Sequence, residues 1–149
     1  MEVEQLKETI QTAFGEMSPP TSRVAPCECE ECDGIVTYFQ GKSRDSLNDD
    51  DLLHFFARGP TSLLSDEAKV YFLPAMMVRS VDPGWAELID SVFWLLLLIQ
   101  KHHEIRLTSR QHQCIWDYLS HLGKHRRNDV DENTLASVCR AWQVPRSMR

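Results

Sequence analysis

The chain has 149 residues, 42% hydrophobic and 26% charged, enough apolar material for one domain whose core needs neither metal nor disulfide to fold. Net charge is −6, with 14 acidic against 6 basic side chains in residues 1–75 and 8 against 10 in 76–149, which argues against general nucleic-acid binding. The apolar run Val92 to Ile99 is far short of the ~20 residues that span a bilayer, so no membrane segment is expected.

Residues 2–14 place Val3, Leu6, Ile10, Ala13 and Phe14 on one helical stripe that stops at Gly15. A proline-rich stretch over about 17–26 has no periodicity and reads as a flexible connector. It leads into Cys27-Glu28-Cys29-Glu30-Glu31-Cys32. A short helix is expected from about Glu31 to Gln40, with Ile35, Val36 and Phe39 inward and Gly41 at its end. Asn48 then caps a helix whose first turn, Asp49-Asp50-Asp51, suits the positive end of the helix dipole. Those aspartates lack the spaced oxygen ligands of a calcium loop. Leu52, Leu53, Phe55 and Phe56 give that helix its apolar face, and Gly59-Pro60 ends it.

The centre of the architecture is the helix expected over 65–80. Ser65 caps it, Asp66 and Glu67 fill its first turn, and from Ala68 to Val78 only Lys69 is charged. Apolar side chains on nearly the whole circumference predict a helix surrounded by protein. Pro74 inside it removes a hydrogen bond and crowds the Val70 carbonyl, which predicts a kink. The proline costs about 3 kcal/mol, while burying Tyr71, Phe72, Leu73, Met76 and Met77 returns roughly 1.5–3 kcal/mol each. Burial wins.

Asp82-Pro83-Gly84 turns the chain into a second apolar helix from Trp85 to about Ile99. Trp94-Leu95-Leu96-Leu97-Leu98-Ile99 has no polar face, so this helix is read as buried; an exposed patch that docks a partner or a second copy is the alternative. Thr108 and Gln111 fit a capping box for a helix carrying Ile115, Tyr118, Leu119 and Leu122 and stopping at Gly123. Asp129 with Glu132 reads as a further start signal, for a helix to about Trp142. Pro145 stops extension and residues 144–149 are expected to fray. The prediction is an all-α, single-domain bundle of six to seven helices, spanning 1–149.

Cys27, Cys29 and Cys32 are the constellation with chemical content. Thiolates bind zinc tetrahedrally, and short spacing brings several to one ion with little loop-closure cost. A fourth ligand is not specified; His54, Cys114, Cys139 or another histidine are candidates. The bland alternative is three free thiols beside a loop. In a redox reading, Cys29 and Cys32 form a Cys-x-x-Cys with Cys32 near a helix N-terminus that would lower its pKa, against the negative charge of Glu28, Glu30 and Glu31. An odd count of five cysteines, three within six positions, is no secreted disulfide framework, and the acidic Met1-Glu2-Val3-Glu4 start is unlike a secretory leader. A cytoplasmic location follows as the expectation.

Other motifs carry less. His103-Glu104 begins like a zinc-protease helix, but Leu107 stands where the second histidine belongs. Cys114, His121 and His125 would share one stripe if their helix continued past Gly123. Lys124-His125-Arg126-Arg127 reads as a solvated basic loop. No glycine-rich phosphate loop, nucleophile elbow or paired-carboxylate motif is apparent.

Three segments do resemble a family. They are Cys29-Glu30-Glu31-Cys32 followed by Phe39-x-Gly41-Lys42, then Leu64-Ser65-x-Glu67-Ala68-x-x-Tyr71-Phe72-Leu73-Pro74-Ala75, and Arg106-Leu107-Thr108-x-x-Gln111 leading to Tyr118-Leu119. Together they resemble an uncharacterised, mainly bacterial domain-of-unknown-function family of small helical proteins. The resemblance implies a cytoplasmic single-domain protein with no assigned activity or catalytic residues.

The function expected is therefore a non-catalytic, cytoplasmic protein-interaction domain with an unidentified protein partner, stabilised by zinc at the cysteine cluster if metal is bound. A homodimer through an apolar patch is a further expectation. A thiol-based metal or redox sensor is the alternative, and an enzyme with a site assembled from dispersed residues is the third reading.

Overall fold

The computed structural model describes the chain except residues 16, 58–60, 103 and 144–149. The expected stop at Gly59-Pro60, His103 and the fraying end at 144–149 lie outside the described residues. Among the described residues there are seven α-helices, joined by short 3-10 and π turns, and no strand: α1 Val3–Phe14, α2 Glu30–Phe39, α3 Asp49–Asp51, α4 Asp66–Ser80, α5 Ala86–Lys101, α6 Ser109–His125 and α7 Glu132–Gln143. The all-α prediction holds.

α4 sits at the middle. It packs on α5 and α1; α1 also crosses α6, and α7 covers α5 and α6. The Ser65 hydroxyl accepts the Ala68 amide at 3.1 Å, and the helix runs unbroken through Pro74. Tyr71, Phe72, Leu73, Met76 and Met77 are all within 1% of full burial, which offsets the cost of the proline. Even Lys69 is buried, its ammonium 3.6 Å from Asp66. Only Val70, Ala75, Val78 and Arg79 along this helix are partly open to solvent among Ala68 to Ser80.

Arg44 braces the turn around the proline. Its guanidinium donates to the Gly15 carbonyl at 2.6 Å, serving the C-terminus of α1, and to the Tyr71 carbonyl at 3.3 Å. Its backbone amide donates to the Tyr71 hydroxyl at 2.9 Å. One side chain thus ties α1 to α4 beside the carbonyl that Pro74 cannot bond.

Four local expectations need correction. Leu52–Ala57 is a π-helical turn and not an α-helix continuing from α3. The wider turn reduces the angle between successive side chains, so Phe55 and Phe56 both reach the Phe39 ring, at 4.7 and 5.2 Å. α6 does not stop at Gly123 but continues to His125, closed by the Arg126 amide on the Leu122 carbonyl. A Cβ at Gly123 would lie 3.7 Å from Leu135 of α7, an ordinary contact, and the glycine keeps helical backbone. α7 is capped by Asp131, whose carboxylate accepts the Thr134 amide at 2.9 Å, because Asp129 is held by Arg126 in the preceding turn. Finally, α5 is not wholly buried: Leu95, Leu96 and Ile99 are enclosed, but Trp94 is 53% exposed.

The proline-rich stretch carries no regular element, yet Val24 and Ala25 are fully buried. The Val24 carbonyl accepts the Ser65 amide at 2.7 Å, and its own amide donates to Gln40 at 2.9 Å. Gln40 also donates to the carbonyls of Pro20 and Ser22. The approach to the cysteines is therefore tied to the start of α4 and the end of α2. No described helix is long and apolar enough to cross a membrane.

Candidate functional site

α2 places the cysteine cluster. Its inward face carries Cys32, Ile35 and Phe39, and the Phe39 ring meets Phe56 and Phe72 at 5.2 and 5.9 Å. The first turn of α2 is thereby anchored on the central helix. Cys29 is its N-cap, the thiol sulfur accepting the Cys32 amide at 3.4 Å in the role a serine hydroxyl normally fills. Cys27 lies just outside, on the surface.

All three sulfurs lie within 4.8 Å of one another, close enough to hold one metal ion. A tetrahedral zinc with Zn–S bonds of about 2.3 Å requires sulfurs about 3.8 Å apart, so side-chain adjustment of at most about 1 Å separates this arrangement from a ligand set. The donors fit a soft cation. No fourth cysteine, histidine or carboxylate among the described residues joins the group, and His54, Cys114 and Cys139 are not brought to it. Cys114 is fully buried in α6, where desolvation first, and then Asp117, pushes its thiol up to about 12.

The three thiols differ in character. The Cys32 amide, followed by the neighbouring thiols, lowers the pKa of Cys29. Burial pushes Cys32 up to about 11, with Cys29 adding to the effect. Cys27 is raised chiefly by its interaction with Cys29. The Cys-x-x-Cys spacing predicts the acidifying helix terminus at Cys32; it falls instead at Cys29, because the capping position lies one turn earlier.

Sequence reasoning missed Arg23. Its Nε donates to the Ala25 carbonyl at 2.7 Å, while Nη2 reaches the Cys27 carbonyl at 3.4 Å and pairs with Asp33 of α2. It fixes the loop that carries Cys27 to the helix that carries Cys32. The available signal was its isolation: Arg23 is the sole lysine or arginine between Lys7 and Lys42.

A second group, Asp66, His102 and Glu104, also has ligand atoms within 4.8 Å. Its chemistry suits a cation less well. The Asp66 oxygen that meets His102 Nδ1 at 3.2 Å also faces the Lys69 ammonium at 3.6 Å. Asp66 further stands at the positive end of the α4 dipole. Asp51 is likewise spent: buried, it accepts from the Tyr38 hydroxyl at 2.5 Å and the Asn48 amide at 3.0 Å, and faces Lys42 at 3.3 Å.

A cleft of about 590 Å³ runs beside α4, lined by Arg44, Asp45, Asp49, Pro74, Val78 and Arg79 among others. Its charges serve the fold. Arg79 pairs with Asp49 and Asp82 at 2.9 and 3.0 Å, and Arg44 is committed to carbonyls. On α6, His121 and His125 do share a face, ring centroids 4.8 Å apart, but His121 is enclosed.

Comparison with protein-family models, with curated proteins and with solved structures found no match to this chain.

Proposed function

We propose that the protein is a non-catalytic cytoplasmic module that binds a soft cation, zinc foremost, at Cys27, Cys29 and Cys32, and acts by contact with another protein. The observation that carries this reading is the convergence of the three sulfurs within 4.8 Å. Three features support it. The Cys32 amide lowers the pKa of the Cys29 sulfur, which eases loss of its proton to a metal. The Cys32 amide on that sulfur is an outer-shell hydrogen bond of the kind that orients metal ligands. Arg23 supplies positive charge beside Cys27 and holds the loop in place.

With three protein donors, the fourth coordination position falls to solvent or to a partner's side chain. That distinguishes the site from a closed structural zinc knuckle and favours an exchangeable ion. The core supports the same reading: Leu6, Phe72, Val92 and Tyr118 are enclosed within the helical core.

Zinc titration of the reduced protein against a chromogenic chelator tests this. The expected result is one zinc per chain with proton release, and a lowered zinc affinity in each of Cys27→Ser, Cys29→Ser and Cys32→Ser. Failure to retain zinc in the reduced protein would overturn it.

The pairing of a lowered Cys29 with a raised Cys32 favours a second reading, a dithiol sensor. Here the Cys29 thiolate attacks one sulfur of an oxidised disulfide, and Cys32 then displaces the mixed disulfide. The attacked disulfide leaves as two thiols and the protein keeps a Cys29–Cys32 bond. A Cys29–Cys32 potential near cellular thiol poise, with no zinc bound, would select this reading.

A further inference from the structure

Along the outer side of α5, Glu87, Asp90, Trp94, Leu97 and Lys101 follow at intervals of three and four residues, the spacing of a single helix stripe. Glu87, Asp90, Trp94 and Lys101 are exposed, and Leu97 and its neighbour Leu98 are half-buried. Beneath them Val92, Phe93, Leu95, Leu96 and Ile99 are wholly enclosed, so the helix itself is rigidly seated. Among the described residues the exposed large hydrophobics are Met1, Tyr38 and Trp94. Met1 starts the chain, and Tyr38 is employed at home, stacked on Phe55 at 4.9 Å and bonded to Asp51. Trp94 is left presenting its ring to water, beside half-buried Leu97 and flanked by charges.

The charges along the stripe are ordered. Glu87 and Asp90 stand at its N-terminal half and Lys101 at its C-terminal end. Asp131, at the start of α7, adds to the acidic end: burial first and Asp131 second raise the pKa of the Asp90 carboxyl.

We propose that this stripe is the contact face between two copies of the chain, joined as an antiparallel α5 pair. A two-fold axis passing between Trp94 and Leu97 seats each Trp94 on Leu97 of the other copy. The same axis sets each Asp90 opposite Lys101 of the other copy. A parallel pair would oppose Asp90 to Asp90 and Lys101 to Lys101, so charge selects the orientation. The contact is isologous, as closed dimers require. One helix stripe is a small interface, which places the dimer in the weak, concentration-dependent class. Tryptophan at the centre with a charged rim is the arrangement in which a few residues dominate binding. This inference does not depend on the thiol loop.

Sedimentation velocity over a concentration series tests it, with circular dichroism confirming that each variant is folded. The native chain is expected to dimerise at high micromolar concentration and dissociate on dilution. Trp94→Ala should be monomeric throughout. Asp90→Lys and Lys101→Asp should each weaken the dimer about tenfold or more, and the double variant should regain most of the loss. A native chain that stays monomeric overturns the proposal. So does a dimer indifferent to Trp94→Ala, or charge reversals that fail to rescue one another.

Discussion

The middle of α4 and the thiol loop at the start of α2 are held in opposite ways. Around Phe72 the chain relies on many small apolar contacts: Phe39, Phe56 and Tyr71 touch its ring, and no single neighbour is decisive. Around Cys29 it relies on a few directional ones, the Cys32 amide and the fork of Arg23. The first arrangement gives stability without chemistry. The second leaves three sulfurs close together and largely free of other duties, which is what a ligand site needs.

That contrast orders the expected effects of perturbing the molecule. Phe72→Ala, in the fully enclosed position, should destabilise by about 3–5 kcal/mol in denaturant unfolding and leave zinc affinity of the folded fraction unchanged. If zinc affinity fell as well, the two regions would be coupled and the contrast broken. Arg44→Ala removes charged hydrogen bonds from carbonyls of Gly15 and Tyr71 and should cost about 2–3 kcal/mol by the same measurement.

Acid should act next, through His121. Burial first, then His125, lowers its pKa below the ordinary value. The unfolded chain therefore takes up a proton near pH 6.5 while the folded chain still resists it. Stability from this group is complete above that pH and falls as pH drops through it toward the lowered folded value. Replacing His121 with Leu should flatten the thermal midpoint between about pH 7 and 5 relative to the native chain. The smallest effect is expected from metal removal. Chelator-treated, reduced protein should keep its far-ultraviolet helical signal, whereas a fold that depended on zinc would lose it.

Much of this was legible in the residues themselves. Ser65, Asn48 and the Thr108–Gln111 pair cap their helices as short-range chemistry dictates, because the side chain and the amide it serves are three residues apart. The π turn at Leu52–Ala57 was not legible, since it answers to the distant rings of Phe39 and to Ser91, which donates to the Ala57 carbonyl at 3.1 Å. Gly123 looked like a stop because glycine is a poor helix former, yet α6 continues through it to His125. Trp94 looked buried because the leucine run has no polar side; which edge faced water was decided by where α4 and α7 packed. At the site, the Cys spacing announced the thiols. The bracing of their loop by Arg23 and the inversion of reactivity between Cys29 and Cys32 needed the fold.

The central claim is that three sulfurs, and no more, come from this chain to one ion. X-ray absorption at the zinc edge of the loaded, reduced protein counts them directly. The account predicts three sulfur scatterers at about 2.3 Å and one lighter oxygen or nitrogen atom, with the sulfur count falling to two in Cys27→Ser. A shell of oxygen and nitrogen alone, or one unchanged by that substitution, would contradict it.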